Sequence, residues 1–181
     1  MNFEKENASS DVPEKPSVFY HASKNKDIAE LEPRQESYRD QNEGAVVFAT
    51  PDKAIASIFL LDARHSGKFD GIPYAVIVDS REHFLSEDKG GRIYELNGDT
   101  FQNDPTKGLG KDEWVSKENV KPKESIEYKS ALTVALEQGV QVYFVDEATS
   151  KAIKESDDYG LSILQKLESE NQRRNLNVKQ F

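Results

Sequence analysis

The chain has 181 residues, no cysteine, and 33 Asp+Glu against 24 Lys+Arg for a net charge of −9. That length suits one domain with a core of its own. The missing thiols exclude disulfides, thiolate nucleophiles and sulfur-ligated metals, and the acidic balance opposes encounter with a nucleic-acid backbone.

Residues 1–16 mix Asn, Ser, Glu, Lys and two prolines without periodicity. Such a segment cannot bury enough apolar area to offset the entropy of ordering, so a disordered leader is predicted. It carries no apolar signal core, and no stretch reaches the ~20 apolar residues of a membrane helix. The expectation is a cytoplasmic protein with no membrane partner, export as an effector by a specialised machine remaining open. At Ser17 the texture changes. Val18-Phe-Tyr-His21 is β-prone, Ser23 to Asp27 is turn-rich, and Ile28, Leu31 and Pro33 predict a brief helical turn. Residues 34–44 read as an exposed loop. Ala45-Val-Val-Phe-Ala49 is an apolar run of the kind found in strands buried on both faces. Thr50 then stands at an N-cap, Pro51 at the first helical position and Asp52 in the first turn. A helix is predicted over 51–64, with Ile55, Ile58 and Phe59 facing the sheet.

Gly67 to Pro73 reads as a loop and Tyr74 to Val78 as a second buried strand. Arg92-Ile-Tyr-Glu-Leu96 alternates like a strand with one wet face, and Asn97-Gly98 marks a turn. Thr100-Phe101 begins a return strand, and 102–111 is loop. Glu113 to Val115 and Ser125 to Tyr128 are predicted strands about a corner at Pro122. A helix over Ala131 to Gln138 ends at Gly139, and Val140 to Val145 is the last strand. The domain is expected to run from 17 to 146, with 147–181 as a helical tail in two pieces, near 147–157 and 159–171. Leu161, Leu164 and Leu167 make a stripe on that tail, able to pack on the domain or on a partner. Crossover helices are too few for a doubly wound sheet. The predicted class is α+β, with short strands in one or two small sheets and helices at their sides.

Chemistry has few anchors. His21, His65 and His83 are far apart and lack HExxH spacing, so no metal site is expected. Neither a glycine-rich phosphate loop nor a Ser on a G-x-S-x-G elbow is present. Lys121, Lys123 and Arg173-Arg174 read as solvated surface. Glu95 and Glu113 sit on predicted strands, where a carboxylate beside a cleft can stabilise positive charge developing in glycosyl transfer. A surface acid on an outward-facing strand position is the plainer account of either, and residue type does not choose between them. As a pair, they would suit a hydrolase if held roughly 5–10 Å apart across a cleft.

Three segments together carry a resemblance. Val18-Phe-Tyr-His-Ala-Ser23 resembles the first-strand signature of the ADP-ribosyltransferase superfamily, an apolar run delivering a His. Val46 to Ala56 is similar to the second, a strand ending in an aromatic-Ala-Thr step before an Ala-rich helix. Asp112 to Val120 is similar to the third, an acid followed by an aromatic and a β-branched residue. The resemblance spans residues 17–128 and implies small split β-sheets with flanking helices around an NAD-binding cleft. It implies that His21 orients NAD through a ribose hydroxyl, and that Glu113 is the catalytic acid favouring the oxocarbenium-like state as nicotinamide leaves. Where the histidine–tyrosine–glutamate branch stacks a Tyr on nicotinamide, this chain has Val47 and Phe48. Phe48 is then the stacking candidate and Thr50 the polar one. The arginines of the branch that removes a 2′-phosphate from RNA are not found, Arg34 and Arg39 lying in another context. The resemblance thus implies transfer of ADP-ribose to a macromolecular acceptor, or a catalytically degenerate module of the same fold that binds a partner protein. A lone Trp114 beside a strand reads as core packing.

Overall fold

A computed structural model describes residues 15–35, 44–103, 110–158 and 160–178. The predicted leader, apart from its last two residues, and positions 36–43 of the predicted loop lie outside them. In chain order the elements begin with β1 (Val18–Ser23), β2 (Val47–Ala49), α1 (Lys53–Ile58), β3 (His65–Phe69) and β4 (Ile72–Val78). There follow α2 (Arg81–Glu87), β5 (Gly91–Asn97), β6 (Gln102–Asn103), β7 (Trp114–Ser116) and β8 (Pro122–Tyr128). The chain continues through α3 (Ala131–Glu137), β9 (Gln141–Val145), α4 (Glu147–Glu155) and α5 (Leu161–Val178).

The strands form three three-stranded sheets, ordered β1-β5-β8, β2-β7-β6 and β3-β4-β9. The first two are antiparallel, while β4 runs antiparallel to β3 and parallel to β9. The class is therefore α+β, with three small sheets rather than one or two. Single backbone bridges stitch the pieces: Tyr20 to Thr50, Leu31 to Val120, and Arg34 to Val46.

The apolar side chains gather in three clusters. Phe19, Ala49, Tyr94, Leu96, Phe101 and Trp114 fill the space between the first two sheets. The Phe19 ring stands 5.0 Å from both Phe101 and Trp114, and the indole N–H donates to the Lys111 carbonyl at 2.9 Å. Trp114 is thus the core anchor expected of it, with its one polar atom satisfied. A second cluster sets Ile55, Leu60, Leu61 and Ile77 against Leu132 and Val134 of α3. The third joins Tyr74, Val76, Tyr143 and Val145 to Ile153 of α4 and Leu164 of α5. Leu164 and Leu167 of the tail's leucine stripe therefore pack on the sheet, Leu164 being 4% exposed.

Several local expectations change. The residues around Ile28 to Pro33 form bends and isolated bridges rather than a helical turn, because Leu31 and Arg34 exchange backbone bonds with Val120 and Val46. The helix expected over 51–64 is α1, starting later and ending at Ile58. Thr50 cannot cap it, since both its backbone groups bond Tyr20 and hold it in a bridge. Asp52 caps instead, accepting the Ala54 and Ile55 N–H groups. Ile55 and Ile58 are buried, but Phe59 is 43% exposed and does not face the sheet core. The loop expected over Gly67 to Pro73 is a hairpin. Asp70 and Gly71 both take positive φ, 49° and 79°, as a two-residue turn between twisted strands requires.

Candidate functional site

Beyond the Tyr20–Thr50 bridge, β1 and β2 have no further backbone pairing among the described residues. The gap between them opens as a cavity of about 280 Å³, walled by His21 to Asn25 on one side and Val46 to Phe48 on the other. Ile28, Glu30, Leu31, Glu32, Arg34 and Phe59 complete the wall. His21 sits where the strands part. Its Nδ1 lies 2.8 Å from the Phe48 carbonyl, which can only accept, so Nδ1 carries the proton and Nε2 is the acceptor nitrogen of the neutral ring. Phe48 packs against Phe59 with centroids 4.9 Å apart, giving the cavity an aromatic wall.

Of the residues expected at a site, the fold brings His21 and Phe48 into this one cavity. Thr50 is wholly buried, its hydroxyl accepting the Asp52 N–H at 3.2 Å, so it serves the strand-to-helix corner and not a ligand. Glu113 is not among the lining residues. Ala49 faces Trp114 across β2 and β7, and one further step sets Glu113 opposite Thr50. Opposed residues share a sheet face while neighbours along a strand alternate. Glu113 thus falls on the face of Thr50 and Phe48. The Glu113 backbone is fixed by its N–H to Gly110 and its carbonyl to Asn103 Nδ2. Glu95 lies on β5 between Tyr20 and Glu124 and does not line the cavity.

Residues not singled out from the sequence shape the surroundings. Arg34, set aside there, lines the His21 cavity, and so does Phe59, the residue that follows α1. Lys68 on β3 bonds Asp112 at 2.7 Å and Asp52 at 3.0 Å. Partial burial works against its charge, but the bonds to Asp112 and Asp52 outweigh this and hold its pKa above the usual value. Lys68 thereby ties the turn before Glu113 to the cap of α1. Only the pairing of β3 reveals this, since sequence spacing carries no sign of it.

Protein-family models, curated proteins and solved structures were compared with this chain. None matches it. Among the described residues no group of His, Asp or Glu is placed to hold a metal, and no helix is long and apolar enough to cross a membrane.

Proposed function

We propose that the cleft between β1 and β2 binds NAD on a scaffold of the ADP-ribosyltransferase kind. The observation that supports this is spatial. Three segments far apart in the sequence, each resembling a motif of that superfamily, lie on adjoining strands, β1 bridged to β2 and β2 paired with β7. Enclosing small-molecule sites usually run from about 300 Å³ upward, so this cavity suits the nicotinamide riboside end while the rest of the dinucleotide lies along the surface. His21, with Nδ1 committed as donor, is in the tautomer that accepting a ribose hydroxyl requires. Phe48 and Phe59, their rings tilted 47° to each other, offer an apolar wall for the nicotinamide ring, and Arg34, beside Glu30 and Glu32, a cation for the pyrophosphate.

In the transferase reading, the bond between nicotinamide and ribose breaks, positive charge develops on the ribose, and a nucleophile of a macromolecular acceptor attacks the same carbon. Glu113 would stabilise that charge. A second reading has its own support. Glu113 lies outside the His21 cavity and Thr50 is buried, which favours a module that recognises NAD or a partner without turnover.

Calorimetric titration with NAD tests both, using the wild type, His21→Ala and Glu113→Gln. Saturable binding weakened by His21→Ala is the expected result, and no binding at millimolar NAD would remove the proposal. Nicotinamide release abolished in Glu113→Gln, at an unchanged melting temperature, selects the transferase. Equal release from the two proteins would remove Glu113 from the reaction, and none from the wild type selects the binding module.

A further inference from the structure

The strand β8 is exposed along both faces and lies at one edge of the β1-β5-β8 sheet. Among the described residues nothing pairs with its outer edge. An edge strand presents a row of backbone donors and acceptors ready for another strand. This one also carries Ile126, 52% exposed. Charges on edge strands commonly guard against pairing, but their order here favours one alignment.

We propose that β8 pairs antiparallel with β8 of a second copy of this chain, about a two-fold axis through Ser125, joining two sheets into one of six strands. In that register Lys123 faces Glu127 of the second copy, Glu124 faces Ile126, and Ser125 faces itself. Two opposite-charge pairs form and no like charges are opposed, the arrangement that stabilises cross-strand neighbours. Neighbouring registers lose this. A one-residue slide in one direction sets Glu124 against Glu127, and a slide in the other leaves both lysines without an acid opposite. The row continues inward with alternating sign. Glu127 already receives Lys26 at 2.9 Å and Arg92 at 3.1 Å, so its carboxylate would lie between Arg92 on one side and the second copy's Lys123 on the other. On the opposite face the two Ile126 side chains become diagonal neighbours and cover each other.

A contact of this length is small beside the ~800 Å² per partner of a stable interface, and two bodies of like net charge repel until salt screens them. The dimer is therefore weak and appears at high protein concentration.

The chain has no cysteine, which makes the geometry directly testable. In an antiparallel pair, opposed Cα atoms stand about 4.5–5.5 Å apart, within disulfide range, and only the residue on the axis meets its own copy. Ser125→Cys in the full chain is expected to cross-link under mild oxidation at least about tenfold faster than Lys123→Cys, whose two copies would be roughly 13 Å apart. Sedimentation equilibrium should show self-association of the wild type and its loss in Lys123→Glu, which sets acid against acid. Equal cross-linking at the two positions, or a wild type that stays monomeric at its highest soluble concentration, would overturn the proposal.

Discussion

Asp88 shows how one carboxylate can organise three segments. Its oxygens accept from Gly90 N–H, the Ser130 hydroxyl, and the N–H groups of Ala131 and Leu132, at 2.7–3.1 Å. It thus satisfies the open end of α3 from across the fold, while Ser130 caps the same helix by accepting from Thr133. Partial burial disfavours the charged form, but these donors, Ala131 N–H first, outweigh it and hold the carboxyl below its usual 3.8. A lowered folded-state pKa stabilises in full above the unfolded value and is lost as pH falls through the folded one. Asp88→Asn should therefore cost about 1–2 kcal/mol near neutrality, the scale of a lost cap. Denaturant midpoints measured from pH 7 downward should show that gap shrinking only below about pH 4. A constant gap across the range would mean the charge contributes nothing.

Among the elements, Gly90 is the least replaceable joint. It takes φ +66°, and a Cβ there would stand 1.9 Å from the Tyr128 carbonyl oxygen, inside the backbone of β8. Gly90→Ala is expected to lower unfolding free energy by more than about 3 kcal/mol, from strain and displaced backbone together. A midpoint within error of the wild type would show that β8 yields. The strands β4, β5 and β9 and the helix α3 were legible in the sequence because apolar runs and a closing Gly139 declare them. The β3 strand was not, since His-Ser-Gly-Lys has little β propensity and only the Asp70-Gly71 pair signals the hairpin. Helix α2 was missed because it buries no residue, leaving no periodic stripe to read. At the site, His21 and Phe48 were legible through a short motif. Arg34, Phe59 and Lys68 were not, because bridges and pairings between distant segments place them.

For the whole molecule, the tail is part of the packing. Ile153 and Leu164 cover Tyr74, Val76, Tyr143 and Val145, and burial beside Glu168 pushes the Tyr143 hydroxyl up to about 12. Removing residues 147–181 should strip that face and leave an aggregating product, while Leu164→Ala should cost about 2–4 kcal/mol as a buried large-to-small change. A soluble truncated chain with wild-type stability would make the tail a separate appendage. The pairings have a further consequence, in time. In each sheet a strand from the first half of the chain needs one from the second: Val18 meets Asn97, Ala49 meets Trp114, and Tyr74 meets Gln141. Such long closures must be made before their contacts repay the lost entropy, which places folding among the slower topologies. On the ribosome the apolar strand Ile72–Val78 waits for Gln141–Val145 to be made. The newborn chain thus carries this strand, paired on one edge with β3 alone and open on the other, through the synthesis of everything between them.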